Sequence, residues 1–205
     1  MILTRAKPFR SWRNVAATTV AFALASALAA CSSPRPVLYT IAPVTGPART
    51  GAPKVIGLRE VSLANYLRQS QIVRSSADYR LDVMSNDWWG EPLSAMLGRV
   101  LVEELRQRLP QSTVVNESGA VAAETDATVA VNVERLDADA SGAVVLQAQA
   151  AVESKGKNAP VLQTFSYTVP TSSPGVTAEV TAISVAVGRL ADGLASLLTT
   201  KPPKR

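Results

Sequence analysis

An α+β fold follows from three observations: a row of period-two segments between residues 127 and 169, and an amphipathic helical stripe on either side of it. The expected architecture is a single domain, a largely antiparallel sheet packed by two main amphipathic helices. Ala127 to Leu136 sets Val129, Val131 and Val133 against Thr128, Asn132 and Glu134. Ala143 to Glu153 sets Val144, Leu146, Ala148, Ala150 and Val152 against Gln147, Gln149 and Glu153. In Val161 to Val169, Val161, Phe165 and Tyr167 oppose Thr164, Ser166 and Thr168. Each strand therefore has one face to bury. The turn-rich links, Asp137 to Gly142 and Lys155 to Pro160, join them as an antiparallel meander.

The first helix starts at Pro92, a residue suited to a first turn, and stops at Pro110. Leu93, Met96, Leu97, Val100, Leu101, Leu105 and Leu109 recur at helical spacing, with Arg99, Glu103, Arg106 and Gln107 off the stripe. The second opens at Ser173-Pro174, read as a cap and first-turn proline. It carries Val176, Val180, Ile183, Val187, Leu190, Leu194 and Leu197, a stripe that packs onto the sheet. Shorter strands are predicted at Val55 to Leu63, Gln71 to Arg74, Tyr79 to Met84 and Thr113 to Val115, with a turn at Ser75-Ser76.

Upstream of this domain the chain changes character. Residues 1–14 hold Arg5, Lys7, Arg10 and Arg13 and no acid, and Val15 to Ala30 is apolar or small apart from Thr18, Thr19 and Ser26. That run is short and alanine-rich for a membrane span, which wants about 20 apolar residues, so it reads as a cleaved leader. The basic flank stays in the cytoplasm and the rest is exported. Leu28-Ala29-Ala30-Cys31 then forms a lipobox around the one cysteine of the chain. On this reading residues 1–30 are a lipoprotein signal peptide, and Cys31 becomes a diacylglyceryl-modified N-terminus. Two acyl chains suffice for stable anchoring where one is marginal. Ser32, rather than aspartate, follows Cys31, which favours the outer membrane over retention at the inner one.

Residues 31–53 carry Pro34, Pro36, Pro43, Pro47 and Pro53 and read as a stiff lipid-anchored tether, interrupted by an extended edge-strand candidate at Val37 to Ile41. Residues 54–200 form the domain, and 201–205 are a basic, solvated tail.

Composition narrows the chemistry. The whole chain has 21 Lys+Arg against 16 Asp+Glu and a pI near 9.7. Removing the four leader bases leaves 17 against 16, so the mature protein lacks the footprint of a nucleic-acid binder. Its 175 residues can bury about 70% of the unfolded surface without disulfides. With no histidine, Ser-His and Cys-His nucleophiles and histidine-ligated zinc are excluded. No catalytic, metal or cofactor site is predicted.

Trp88 and Trp89 adjoin in an expected turn: one plugs the sheet–helix junction, the other is a candidate partner contact. Tyr66, with Asn65, is a second candidate contact, against the simpler reading of a turn that satisfies its own backbone. Glu91 complements the helix dipole. Arg68, Arg74 and Arg80, interleaved with Asp78, Asp82 and Asp87, read as a solvated mixed-charge surface.

Taken together, Cys31, Tyr39-Thr40-Ile41, Leu63-Ala64-Asn65-Tyr66-Leu67, Gln71-Ile72-Val73, Trp88-Trp89-Gly90-Glu91-Pro92-Leu93 and Leu105 to Pro110 resemble the auxiliary lipoproteins of ABC-type transport systems, the paraquat-inducible protein C-like group. The chain departs from that pattern at Ala64, where the group often has proline. It also lacks the tryptophan common near the start of the last helix, a space left to Ile183 or Val187. The resemblance implies a non-enzymatic, periplasm-facing component of an MCE/ABC-type lipid transport system, with an MCE-domain protein as partner and phospholipid as cargo. It also implies homo-oligomeric, ring-like association. Two other classes fit the residues: a structural envelope lipoprotein binding peptidoglycan or a secretion machine, and an envelope hydrolase using Glu91 and Asp87.

Overall fold

The computed structural model describes residues 35–75, 79–117, 119, 123–157 and 159–200. The signal peptide, Cys31, the Ser75-Ser76 turn and the basic tail lie wholly or partly outside them. From Pro36 onward the chain forms one compact unit. Its strands are β1 (Val37–Tyr39), β2 (Val55–Leu58), β3 (Ser62–Leu63), β4 (Gln71–Ser75), β5 (Leu81–Trp89), β6 (Thr113–Asn116), β7 (Ala127–Ala138), β8 (Val144–Ser154) and β9 (Val161–Val169). Its helices are α1 (Leu93–Arg108) and α2 (Val176–Thr199), with a 3-10 turn at Asn65–Arg68.

The fold is α+β, as the periodicities predict. The strands form two mixed sheets: a larger one in the order β6-β2-β7-β8-β9, with β3 also on β7, and a three-stranded one in the order β1-β5-β4. The meander β7-β8-β9 is antiparallel throughout. Its alternation buries what it should: Val129, Val131, Val133, Leu146, Ala148, Ala150 and Phe165 are all at most 4% exposed. Val161 departs from that pattern. It opens the edge strand, where the first four residues of β9 are all solvent-exposed.

Parallel pairing is the part not foreseen. The predicted strand Val55 to Leu63 breaks at residues 59–61, and both halves run parallel to β7, with β6 parallel to β2 on the outer side. The break turns Val61 into the core. It leaves Arg59 outside, where its guanidinium donates to Glu153 at 2.9 and 3.3 Å.

Both helices contribute to a single apolar core with the sheet. All seven stripe residues of α1 are at most 3% exposed, from Leu93 to Leu109. In α2, Val180, Ile183, Val187, Leu190 and Leu194 are buried, so this helix, long and apolar enough for a membrane span, is a core helix packed on β8, β9 and α1. It starts at Val176, later than Ser173-Pro174 predicts. A residue before proline is steered out of the helical region, and Gly175, at φ 117°, turns the chain before the first helical residue.

The predicted tether is shorter than residues 31–53. Val37–Tyr39 forms the expected edge strand, parallel to β5, and the chain from Ile41 to Arg49 is strapped across α1 and α2. Ile41 is 1% exposed, so detaching this strap would return a core side chain to water.

Candidate functional site

The tryptophan pair ends strand β5 rather than occupying a turn. Successive strand residues point to opposite faces, which is why one indole goes in and one stays out. Trp89 is buried in the core at 7% exposure. Trp88 is half-buried, and its Nε1–H donates to the Ser85 carbonyl at 3.0 Å. On the outer side of this small sheet Trp88 pairs in register with Leu38 on one neighbour and Gln71 on the other. Leu38 is 63% exposed and Val37 53%. The hairpin end of β5 adds Leu81 and Val83 to the exposed apolar residues.

Tyr66 sits in the 3-10 turn, half-buried, and its hydroxyl donates to Asp137 Oδ2 at 2.6 Å. Asp137 is 1% exposed and also accepts from Arg135 at 3.0 and 3.1 Å. Burial first, then this carboxylate, pushes the Tyr66 hydroxyl well above its ordinary pKa. Tyr66 is therefore a structural donor that ties the turn to β7 and is no neighbour in sequence of the group it satisfies. Replacing it with phenylalanine removes one of the partners of a buried carboxylate. The expected loss is about 2 kcal/mol, read as a lower urea midpoint at unchanged slope.

The arginine–aspartate surface, of which Asp78 lies outside the described residues, is corrected at one position. Arg74 reaches inward to Glu179 at 2.5 Å, and that carboxylate is 2% exposed. Glu91 pairs with Arg99 at 2.6 Å on the surface, which leaves it an ordinary ion pair beside the start of α1.

A polar cluster that the stripe analysis passed over holds the strap. Glu104 and Arg108, at 0% and 1% exposure, lie on the face of α1 that carries Leu101 and Leu105. Glu104 Oε1 accepts from the Val44 amide at 2.7 Å. Arg108 donates to Asp192 Oδ1 at 2.6 Å, to the Val44 carbonyl at 3.0 Å, to the Gly188 carbonyl at 3.0 Å and to the Glu104 carbonyl at 3.3 Å. Ser184 Oγ accepts from the Ala42 amide at 3.2 Å. The amides of Ile41, Ala42 and Val44 and the Val44 carbonyl are thus met by side chains, which lets an extended segment lie against the helices.

Gly188 lets the strap approach α2, since a Cβ there would lie 3.0 Å from that of Val44. The signal was present in sequence. Positions 101, 104, 105 and 108 follow i, i+3, i+4, i+7, and 184, 188 and 192 recur every fourth residue.

Among the described residues no group of three or more His, Cys, Asp or Glu side chains is placed to hold a metal ion. The concavities are open grooves; one, on the outer face of the large sheet, is lined by Arg59, Ser62, Ala130, Asn132, Gln149 and Leu162 and measures about 550 Å³. Such a groove presents a surface rather than enclosing a ligand. The arrangement offers contact faces and a clamped anchor segment.

The ABC-type transport auxiliary lipoprotein component family matches residues 37–195. Among solved structures, an uncharacterized protein aligns with a TM-score of 0.69 at 18% identity, covering 80% of this chain and 99% of that one. A protein of the DUF330 family from Xanthomonas campestris aligns with a TM-score of 0.66 at 18% identity, over 78% of this chain and 93% of that one. At such identities the two structures speak to the fold alone. No curated protein sequence matches the chain.

Proposed function

Since the chain belongs to the family of ABC-type transport auxiliary lipoprotein components, we propose that it is a non-enzymatic envelope lipoprotein whose mature N-terminus, Cys31, carries the lipid. It is anchored in the periplasmic leaflet of the outer membrane. There it docks the periplasm-spanning MCE-domain protein of an ABC-type lipid transport system and assists phospholipid trafficking between the membranes. The observation that carries this reading is the family match, which extends from β1 to near the end of α2 and so takes in nearly the whole domain. The basic leader ending in Leu28-Ala29-Ala30-Cys31 supports the anchor, and Ser32 supports the outer membrane. The open grooves and exposed apolar side chains suit a docking component.

Two measurements test it. Cells fed labelled palmitate are expected to label the wild-type protein and leave Cys31→Ser unlabelled and shed from the membrane fraction; label retained by Cys31→Ser contradicts the anchor. Affinity capture of the mature protein from detergent-solubilised envelopes is expected to recover an MCE-domain protein. Failure to recover one, together with unchanged envelope permeability on deletion of the gene, contradicts the transport role.

A further inference from the structure

We propose that the outer side of the three-stranded sheet, built on Leu38 and Trp88, is a bilayer-contacting face that seats the domain against the membrane holding its lipid anchor. The inference rests on acylation of Cys31.

Chain length carries the argument. Six residue steps separate Cys31 from Val37, and a chain of that length reaches roughly 20 Å at full stretch. The described domain begins at once: Val37–Tyr39 is already paired with Asp87, Trp88 and Trp89. Nor can β1 peel away to lengthen the leash. Directly after it the Ile41 amide donates to Met96 Sδ at 3.2 Å, Ala42 to Ser184, and Val44 is held through both its amide and its carbonyl. The domain is thus confined close to the interface by its own hydrogen bonds, with β1 the element nearest the anchor.

What β1 displays there suits lipid. Leu38, 63% exposed, is an aliphatic side chain on an edge strand. Trp88, beside Leu38 in register, has a half-buried indole with its N–H bound to Ser85. An amphipathic ring of that kind is favoured at the level of the headgroups. Exposed Arg35 precedes the strand and can meet lipid phosphate. A leash of this length brings such a face to the bilayer far more often than to any soluble partner, because the tether sets a high effective concentration.

Trp88 is also the reporter. Of the three tryptophans, Trp12 leaves with the leader and Trp89 is in the core. The mature acylated protein is reconstituted into phosphatidylethanolamine–phosphatidylglycerol vesicles with or without brominated acyl chains, floated on a density gradient, and its tryptophan emission recorded. With one of two emitters at the interface, bromine is expected to remove up to about half of the emission. The quenching is expected to vanish in Trp88→Phe and to weaken in Leu38→Ser, whose side chain is exposed enough to change without unfolding.

Protein that floats with no quenching, or quenching that persists in Trp88→Phe, overturns the face while leaving the anchor standing. Protein that fails to float overturns the anchor and the face with it. A concentration-dependent blue shift in detergent without vesicles assigns the face to a second copy of the chain and overturns the proposal.

Discussion

Arg108→Met is expected to destabilise the domain by about 2–3 kcal/mol, the range for hydrogen bonds to a charged group, since Asp192, at 38% exposure, is rehydrated once its partner is gone. The methionine fills similar space, but Asp192 Oδ1 and the Val44 carbonyl lose the guanidinium, and the carbonyls of Gly188 and Glu104, inside their helices, lose a second donor. The contacts to Gly188 and Glu104 are buried, so water does not replace the guanidinium there without opening the contact between strap and helices. Arg108→Lys recovers a part only, because an ammonium lacks the planar fork that serves acceptors on two helices and the strap together.

Urea denaturation gives the stability, and trypsin supplies a local reading. Arg49 ends the strap, with its amide bonded to the Arg108 carbonyl at 2.6 Å, and cleavage after Arg49 is expected to accelerate in Arg108→Met. An unchanged cleavage rate would show that the strap is held by Ile41 and the glycine contacts without the guanidinium.

The second large effect is a dependence on pH. Glu104 is fully buried, and that desolvation, only partly opposed by the Val44 amide and Arg108, raises its pKa from 4.5 to about 7. An unfolded chain ionises this carboxyl near 4.5, whereas the fold keeps its proton until about 7. The unfolded state therefore binds fewer protons in that window, and stability falls as pH rises from about 4.5 to about 7, then levels. The full change is of order 3 kcal/mol at about 1.4 kcal/mol per unit.

Glu179, also raised mainly by burial and held down by Arg74, adds a loss of the same sign. Glu104→Gln keeps an oxygen for the Val44 amide and has no proton to lose. Its unfolding free energy is expected to be flatter between pH 5 and 8 and to exceed the wild type at pH 8. A wild-type profile that rises over this range would refute the assignment.

The strands of the meander were legible because alternation is a property of adjacent residues. Val129, Val131 and Val133 declare a face whatever they pair with, as does the apolar stripe of α1. The tryptophan pair was half legible: one in and one out holds, yet the cause is the pleat of β5 and not a turn. Tyr66 was harder, since the carboxylate that claims its hydroxyl is 71 residues away. The strap carries the prolines and glycines of a linker, a composition that by itself reads as a stiff tether. What docks it is a set of side chains on two helices, Ser184 being 142 residues from the Ala42 amide it accepts from.

From its residue order alone, then, this protein declared its α+β class, its two main helices and its meander, all encoded within a turn or two of chain where periodicity and local chemistry operate. Parallel pairing of β2 and β3 with β7, the burial of Glu104 and Arg108, and the seating of residues 41–49 were decided only in three dimensions. Each depends on which distant groups share one dry space: helical spacing puts Glu104 and Arg108 on the apolar face of α1, but the partners that let them be buried there come from far along the chain.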